Sequence, residues 1–232
     1  MTVSLATPLL SLHVGRIQAL GPEGRPSAID KEAVAGPLKV TRLGLEGDTQ
    51  GAPEHHGGPD KALHHYPRDH YARWAAELAQ AAALFLPGGF GENISTLGLT
   101  EDTVCLGDIF SLGSAVVQVS QGRSPCWKLN ARFGIDDMAR RVQDSGRTGW
   151  YYRVLEEGEA VAGGALALRH RPCPCWPLSR LWRVLNQTPI DREALAELAA
   201  LEVLAPGWRE KAHKRLGGGE GLKQRLGRFF NK

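Results

Sequence analysis

The sequence predicts a mainly β, barrel-like domain with peripheral helices, followed by a small domain of three helices. Three observations carry this. As far as about residue 170, short apolar runs alternate with Gly, Pro, Asn and Asp, the punctuation of a closed or strongly curved sheet. Past residue 177 the apolar period becomes helical, with Leu178, Leu181, Trp182 and Leu185 at i, i+3, i+4 and i+7. Between them lies Arg171-Pro172-Cys173-Pro174-Cys175-Trp176-Pro177, whose prolines read as a stiff linker. The expected domains are therefore 1–171 and 172–232.

Within the first domain the candidate strands are Leu10–Ile17, Leu38–Leu43, Val104–Leu106, Ile109–Leu112, Ala115–Val119 and Ala165–Leu168. Gly107-Asp108 and Gly113-Ser114 read as turns. Two helices interrupt the strands. Asp69 is the expected N-cap of the first, whose apolar face is Tyr71, Trp74, Ala75 and Leu78. The second carries Ile135, Met138, Ala139 and Val142 and stops near Gly146. Both stripes read as core packing. In the second domain, Pro189 and Asp191 open a helix with Leu195, Leu198 and Ala199 on one face. A third helix carries Trp208, Ala212 and Leu216 and ends at Gly217-Gly218-Gly219. Three short helices bury too little surface alone, so they dock on the β domain or on a second subunit of a homodimer.

Composition excludes several classes. Hydrophobic residues make up 42% and charged residues 23% of the 232-residue chain, the balance of a globular protein. No apolar run is long enough for a membrane span, and no signal peptide is legible. Four cysteines in a chain this long do not make a disulfide scaffold, so a reducing cytoplasm is expected. The net charge of +3 is uneven, because residues 206–232 hold eight Lys/Arg against two Asp/Glu. No nucleic-acid motif accompanies this basic tail, which reads as a solvated face or a contact for an acidic partner.

Three polar clusters could carry chemistry. The first joins Gly44-Leu45-Glu46-Gly47-Asp48 to His55-His56-Gly57-Gly58-Pro59-Asp60-Lys61-Ala62-Leu63-His64. Its glycines allow close backbone approach, and Lys61 offers countercharge to an anion. Four of the eight histidines lie between residues 55 and 65, without the spacing of a helical zinc motif. The second is Gly88-Gly89-Phe90-Gly91-Glu92-Asn93, where Asn93 suits a heterocycle edge and Glu92 a proton transfer. The third is Val119-Ser120-Gln121-Gly122-Arg123-Ser124-Pro125-Cys126, an apolar strand running into a turn that ends in a thiol. Arg123 and Lys128 flank that thiol, and nearby cations favour the thiolate, the form that attacks electrophiles or binds a soft metal. Taken alone, Cys126 is equally a buried core cysteine, a metal ligand or the nucleophile of a Cys-His pair.

Taken in order, these clusters resemble the MOSC family, named for the C-terminal domain of molybdenum cofactor sulfurase, and within it the YiiM-type members. The resemblance rests on Gly44–Asp48, His56–Ala62, Tyr66-Pro67-Arg68, Phe90–Asn93, Gly107-Asp108, Val119-Ser120-Gln121, Arg123–Cys126 and Thr148-Gly149-Trp150, and it covers nearly the whole chain. It implies a MOSC β-barrel-like domain holding a molybdenum cofactor (molybdopterin), with Cys126 as the molybdenum ligand. Gly57, Lys61, Asn93, Gln121, Arg123 and Ser124 would contact the cofactor, and Glu92 or His56 would supply protons. The implied activity is reduction of N-hydroxylated bases such as 6-hydroxylaminopurine, with electrons from a separate flavin-containing reductase. The alternatives are a non-catalytic cofactor or sulfur carrier and a Cys-His hydrolase. One departure stands out. Close members have Pro where this chain has Gly122, which should loosen the loop before Cys126. Every candidate ligand lies before residue 150, so the helical domain is expected to serve assembly or docking of the electron donor.

Overall fold

A computed structural model describes residues 5–217, apart from the side chains of Glu54 and His55. Gly218, Gly219 and the rest of the basic tail lie outside the described residues. Nine strands form one sheet that curls into a half barrel. In spatial order they are Ala6–Pro8, Ala165–His170, Ile109–Leu112, Ala115–Gly122, Trp150–Glu156, Leu63–His65, Ile94–Ser95, Ser11–Gly15 and Lys31–Ala33. Neighbours run antiparallel, except that Leu63–His65 is parallel to Ile94–Ser95. Smaller ribbons pair Leu38–Thr41 with Gly158–Ala160 and Gly44–Leu45, and Gln18–Leu20 with Arg25–Ser27.

The central strand Ala115–Gly122 is buried along most of both faces, and its first half reads in sequence as the apolar run Ala115-Val116-Val117 with Val119. Beside it, Trp150–Glu156 alternates, turning Trp150, Tyr152 and Val154 inward. Gly149 opens that strand at φ +71°, and a Cβ there would lie 2.3 Å from the His65 carbonyl. Only glycine fits both demands. Its N–H donates to the buried Glu101 carboxylate at 2.7 Å.

Several expected elements differ. Val104–Leu106 is no strand; Cys105 makes a single bridge to Pro177, and the chain turns at Gly107. Asp69 does not cap its helix. The helix is Asp69–Glu77, and the Asp69 carboxylate instead accepts the N–H of Gly98. The strand expected at Ala115–Val119 runs on to Gly122, the short strand Leu63–His65 sits deep in the sheet, and the helix after Ile135 is Met138–Ser145.

The helices Leu178–Asn186, Arg192–Ala200 and Pro206–Gly217 dock on the β domain of the same chain. Their residues Leu181, Leu185, Leu195, Leu198 and Trp208 join Val117, Val119, Trp150 and Tyr152 in one continuous core. Asp191 caps the middle helix, accepting from Ala194 N at 3.0 Å, worth about 1 kcal/mol. The connecting segment is pinned by a two-bonded ion pair from Arg171 to the buried Asp108. A second core, built from Tyr66, Trp74, Phe85, Phe90, Phe133 and Met138, lies under the helices of the β domain. There Tyr66 and Phe90 stack at 4.0 Å.

Candidate functional site: a cationic cleft around Cys126

Three loops meet in one cleft. The Arg123–Lys128 turn after the central strand supplies Arg123, Cys126 and Lys128; the Asp48–Lys61 segment supplies Asp48, His56 and Lys61; and the Phe90–Asn93 turn supplies Phe90, Gly91 and Asn93. Lys31, His64, Tyr151 and the Ser27–Ile29 segment also line it. Four cationic side chains thus face a cleft with one carboxylate, Asp48, so the cleft favours an anionic ligand.

Asp48 is fully committed inside the protein. It accepts from Gly15 N at 2.7 Å, from Lys31 Nζ at 2.5 and 2.6 Å, and from Asn93 Nδ2 at 2.8 Å. Lys31 and Asp48 side chains are 7% and 1% exposed, so this ion pair is buried. Desolvation lowers the Lys31 pKa, and Asp48 opposes that fall. The other lysine at the rim, Lys61, is also lowered by burial, with Asp60 opposing.

Arg123 is 5% exposed. Its Nη2 donates weakly to Phe90 O at 3.4 Å, while Nη1 is buried with no hydrogen-bond partner in the protein. A buried guanidinium donor left unpaired costs several kcal/mol unless something accepts from it (roughly 1–3 for a neutral group, more for a charged one). Arg123 also opposes the rise in the Tyr151 pKa that burial produces. Cys126 is half-buried, and its Sγ lies 4.0 Å from His56 Nε2. His64, its ring tilted against that of Tyr151 at a centroid distance of 5.0 Å, has its pKa driven well below 6.5, by burial first and by Arg123 second, so it is neutral at physiological pH.

The expected site residues divide into two groups. Cys126, His56, Lys61, Arg123 and Asn93 meet in the cleft. Asn93, however, spends both amide hydrogens internally, on His13 O and Asp48, and accepts from His64 N; it braces the cleft and keeps only acceptor capacity for a ligand. Glu92, Gly57, Gln121 and Ser124 do not line it. Glu92 is fully buried behind the turn, where its carboxylate accepts from Tyr71 OH, Gly88 N and Phe90 N. Burial raises its pKa and these donors oppose the rise, and its bonds hold the Gly88–Phe90 turn in place. Gly57 closes the short helix Pro53–His56, its N–H donating to Pro53 O. Gln121 turns inward and donates to Gly122 O, and Ser124 faces solvent.

Among the described residues the histidine cluster does not assemble into a metal site. His65 is a core residue bonded to Tyr152 OH and Thr96 Oγ1, with its pKa lowered to about 3 by burial. Among the described residues no group of three or more His, Cys, Asp and Glu is arranged to hold a metal ion. Lys31 and Tyr151 are new to the site, while Lys128, two residues after Cys126, and His64, in the first polar cluster, now line the cleft as well. Lys31 lies on an edge strand, and nothing local marks it.

Comparison with known proteins agrees with this layout. The MOSC domain family model matches residues 52–167, and the YiiM-like, 3-alpha helix domain model matches 176–219. Protein YiiM of Escherichia coli is 45% identical over 206 residues, covering 89% of this chain and 91% of that protein. A protein named Reductase from Gibberella moniliformis is 39% identical over 83% of this chain, which spans only 35% of that longer protein. The crystal structure of Escherichia coli YiiM superposes with a TM-score of 0.80 at 38% identity, covering 96% of this chain and 98% of that one. YiiM from Geobacillus stearothermophilus gives 0.77 at 34% identity, covering 90% and 99%. With both domain models, the long-range sequence identity and the superposed folds in agreement, the chain belongs to the MOSC-domain family as a YiiM-type member with a C-terminal three-helix domain.

Proposed function

We propose that the protein is a molybdenum-cofactor-dependent oxidoreductase that reduces N-hydroxylated bases of the 6-hydroxylaminopurine type to amines. The observation that supports this most is that the Cys126 thiol shares one cleft with Arg123, which keeps a buried, unpaired donor, and with three lysines. These residues fit the cofactor. A thiolate is a soft ligand suited to a metal already bound by sulfur, and a guanidinium and lysines suit a phosphate. When bound, the cofactor supplies the two-electron chemistry of R–NHOH + 2e⁻ + 2H⁺ → R–NH₂ + H₂O, with electrons from a separate flavin-containing reductase.

The chain's own residues bind, orient and deliver protons. Cys126 offers its sulfur at the end of the central strand, and Arg123 and Lys61 pair with the anionic part of the ligand. Asp48, itself held by Asn93, fixes Lys31 in the wall of the cleft. His56, next to Cys126, is the candidate proton donor, whereas His64 is held neutral and Glu92 is out of reach. The proposed setting is the cytoplasm, which suits four free cysteines. Among the described residues no helix is long and apolar enough to cross a membrane.

The test is metal analysis of protein produced with molybdate in a cofactor-competent host, alongside reductase-coupled turnover of an N-hydroxylated base. Molybdenum near one per chain with turnover supports the proposal. Molybdenum without turnover favours a carrier, and molybdenum equal in wild type and Cys126→Ala refutes the ligand assignment. The 4.0 Å contact between Cys126 and His56 also favours a second reading, a Cys-His hydrolase, which requires ester or amide cleavage by metal-free protein.

A further inference from the structure

We infer that Trp208, from the C-terminal helical domain, is a positioning residue for the Cys126 loop and acts through Gly122. Gly122 is the last residue of the central strand, paired with Trp150, and Arg123 follows it directly. A Cβ built on Gly122 would lie 2.8 Å from the Cη2 atom of Trp208 and 3.4 Å from Cζ3. The indole edge therefore fills the space that any larger residue would need. The ring cannot retreat freely. Trp208 is 6% exposed, its ring centroid is 6.3 Å from that of Trp182, and Lys211 Nζ lies 5.4 Å from it.

The same helix end grips the strand a second time. Ala205 N donates to Ser120 O at 2.9 Å, and the Ser120 hydroxyl donates to Asp60 O at 2.6 Å, one residue before Lys61. The helical domain thus braces both sides of the cleft, Arg123 and Cys126 through Gly122, and Lys61 through Ser120. This changes the meaning of Gly122. The glycine does not loosen the loop; its missing Cβ admits the indole that holds the loop. It also gives the helical domain a part in the site, although none of its own residues lines the cleft.

The inference concerns the Cys126 loop whatever group that thiol holds, so its test needs no cofactor. The full-length protein is treated with iodoacetamide, and alkylation of Cys126 is followed peptide by peptide by mass spectrometry. Trp208→Ala should raise the Cys126 rate about fivefold by easing local opening of the loop. Trp208→Phe should keep it near wild type. Leu195→Ala, which disturbs the helical core without touching Gly122, should leave it within about twofold of wild type. Gly122→Ala should also raise the rate, and the double variant Gly122→Ala/Trp208→Ala should be no faster than Trp208→Ala alone, because the two changes act on one contact. Should Trp208→Ala fail to fold, Gly122→Ala against Leu195→Ala carries the test from the strand side. An unchanged rate in Trp208→Ala, an equal rise in Leu195→Ala, or multiplying effects in the double variant would each overturn the inference, leaving the cofactor proposal untouched.

Discussion

Asp48→Asn should destabilise the protein by an amount that shrinks as pH rises. In the wild type, Asp48 is the carboxylate bonded to Lys31, and both are buried. Removing one partner of a buried pair costs about 3–5 kcal/mol, because the other charge stays out of water without compensation. Asparagine keeps one acceptor oxygen, which places the loss near the lower end, about 3 kcal/mol. For a chain of this size that lowers Tm by roughly 6–12 °C. The pH dependence follows from Lys31. Its folded pKa is already below 10.5 through desolvation, and loss of Asp48 lowers it further. Between the folded and unfolded values the unfolded chain binds more protons, so stability rises with pH across that window. The window opens at lower pH in the variant, so its deficit is full at or below the variant's folded pKa and narrows towards pH 10. Urea unfolding at a series of pH values from 6 to 10 measures both effects. Adding Lys31→Met should recover most of the loss at pH 7 by removing the uncompensated charge. A loss under about 1 kcal/mol, or one that stays constant with pH, would refute the reasoning.

Other perturbations separate the cleft from its supports. Cys126→Ala should abolish molybdenum retention with the circular dichroism spectrum unchanged, while Cys105→Ser, Cys173→Ser and Cys175→Ser retain the metal, as read by elemental analysis. Arg123→Ala and Lys61→Ala should each weaken retention of the cofactor roughly ten- to a hundredfold, the loss of one charge-assisted hydrogen bond of about 1.5–3 kcal/mol, measured by competition with apo-protein. Glu92→Gln should cost about 1–3 kcal/mol in urea unfolding, because an amide hydrogen then faces Tyr71 OH, Gly88 N or Phe90 N. Its turnover per bound molybdenum should match wild type; a large loss at full loading would return Glu92 to the chemistry.

Local signals in the chain were enough to determine the β-rich architecture, the change to helical period in the last quarter, and the thiol in the loop after the central strand. The period of apolar residues depends only on which face is buried, and strands such as Ile109–Leu112 and helices such as Leu178–Asn186 carry that period within their own sequence. The ordered motifs from Gly44 to Trp150 were likewise readable, and they pointed to the family that the relatives show. Placement across the fold was not readable. Glu92 and Asn93 are neighbours in sequence, yet one side chain turns into a nest of Tyr71 and backbone N–H groups while the other braces the cleft, a difference set by packing on elements far along the chain. Lys31 becomes a wall of the cleft only because Lys31–Ala33 pairs with Ser11–Gly15 and because Asp48 offsets the desolvation of its charge. Val104–Leu106 has the apolar content of a strand, but its backbone bonds go to Trp176 and Leu178 of the docking segment. Gly122 reads as a weakness in the sequence alone, yet the indole of Trp208, 86 positions away, occupies the space of its missing Cβ. Such contacts join residues whose separation in sequence carries no periodic signal, so only the folded chain decides them.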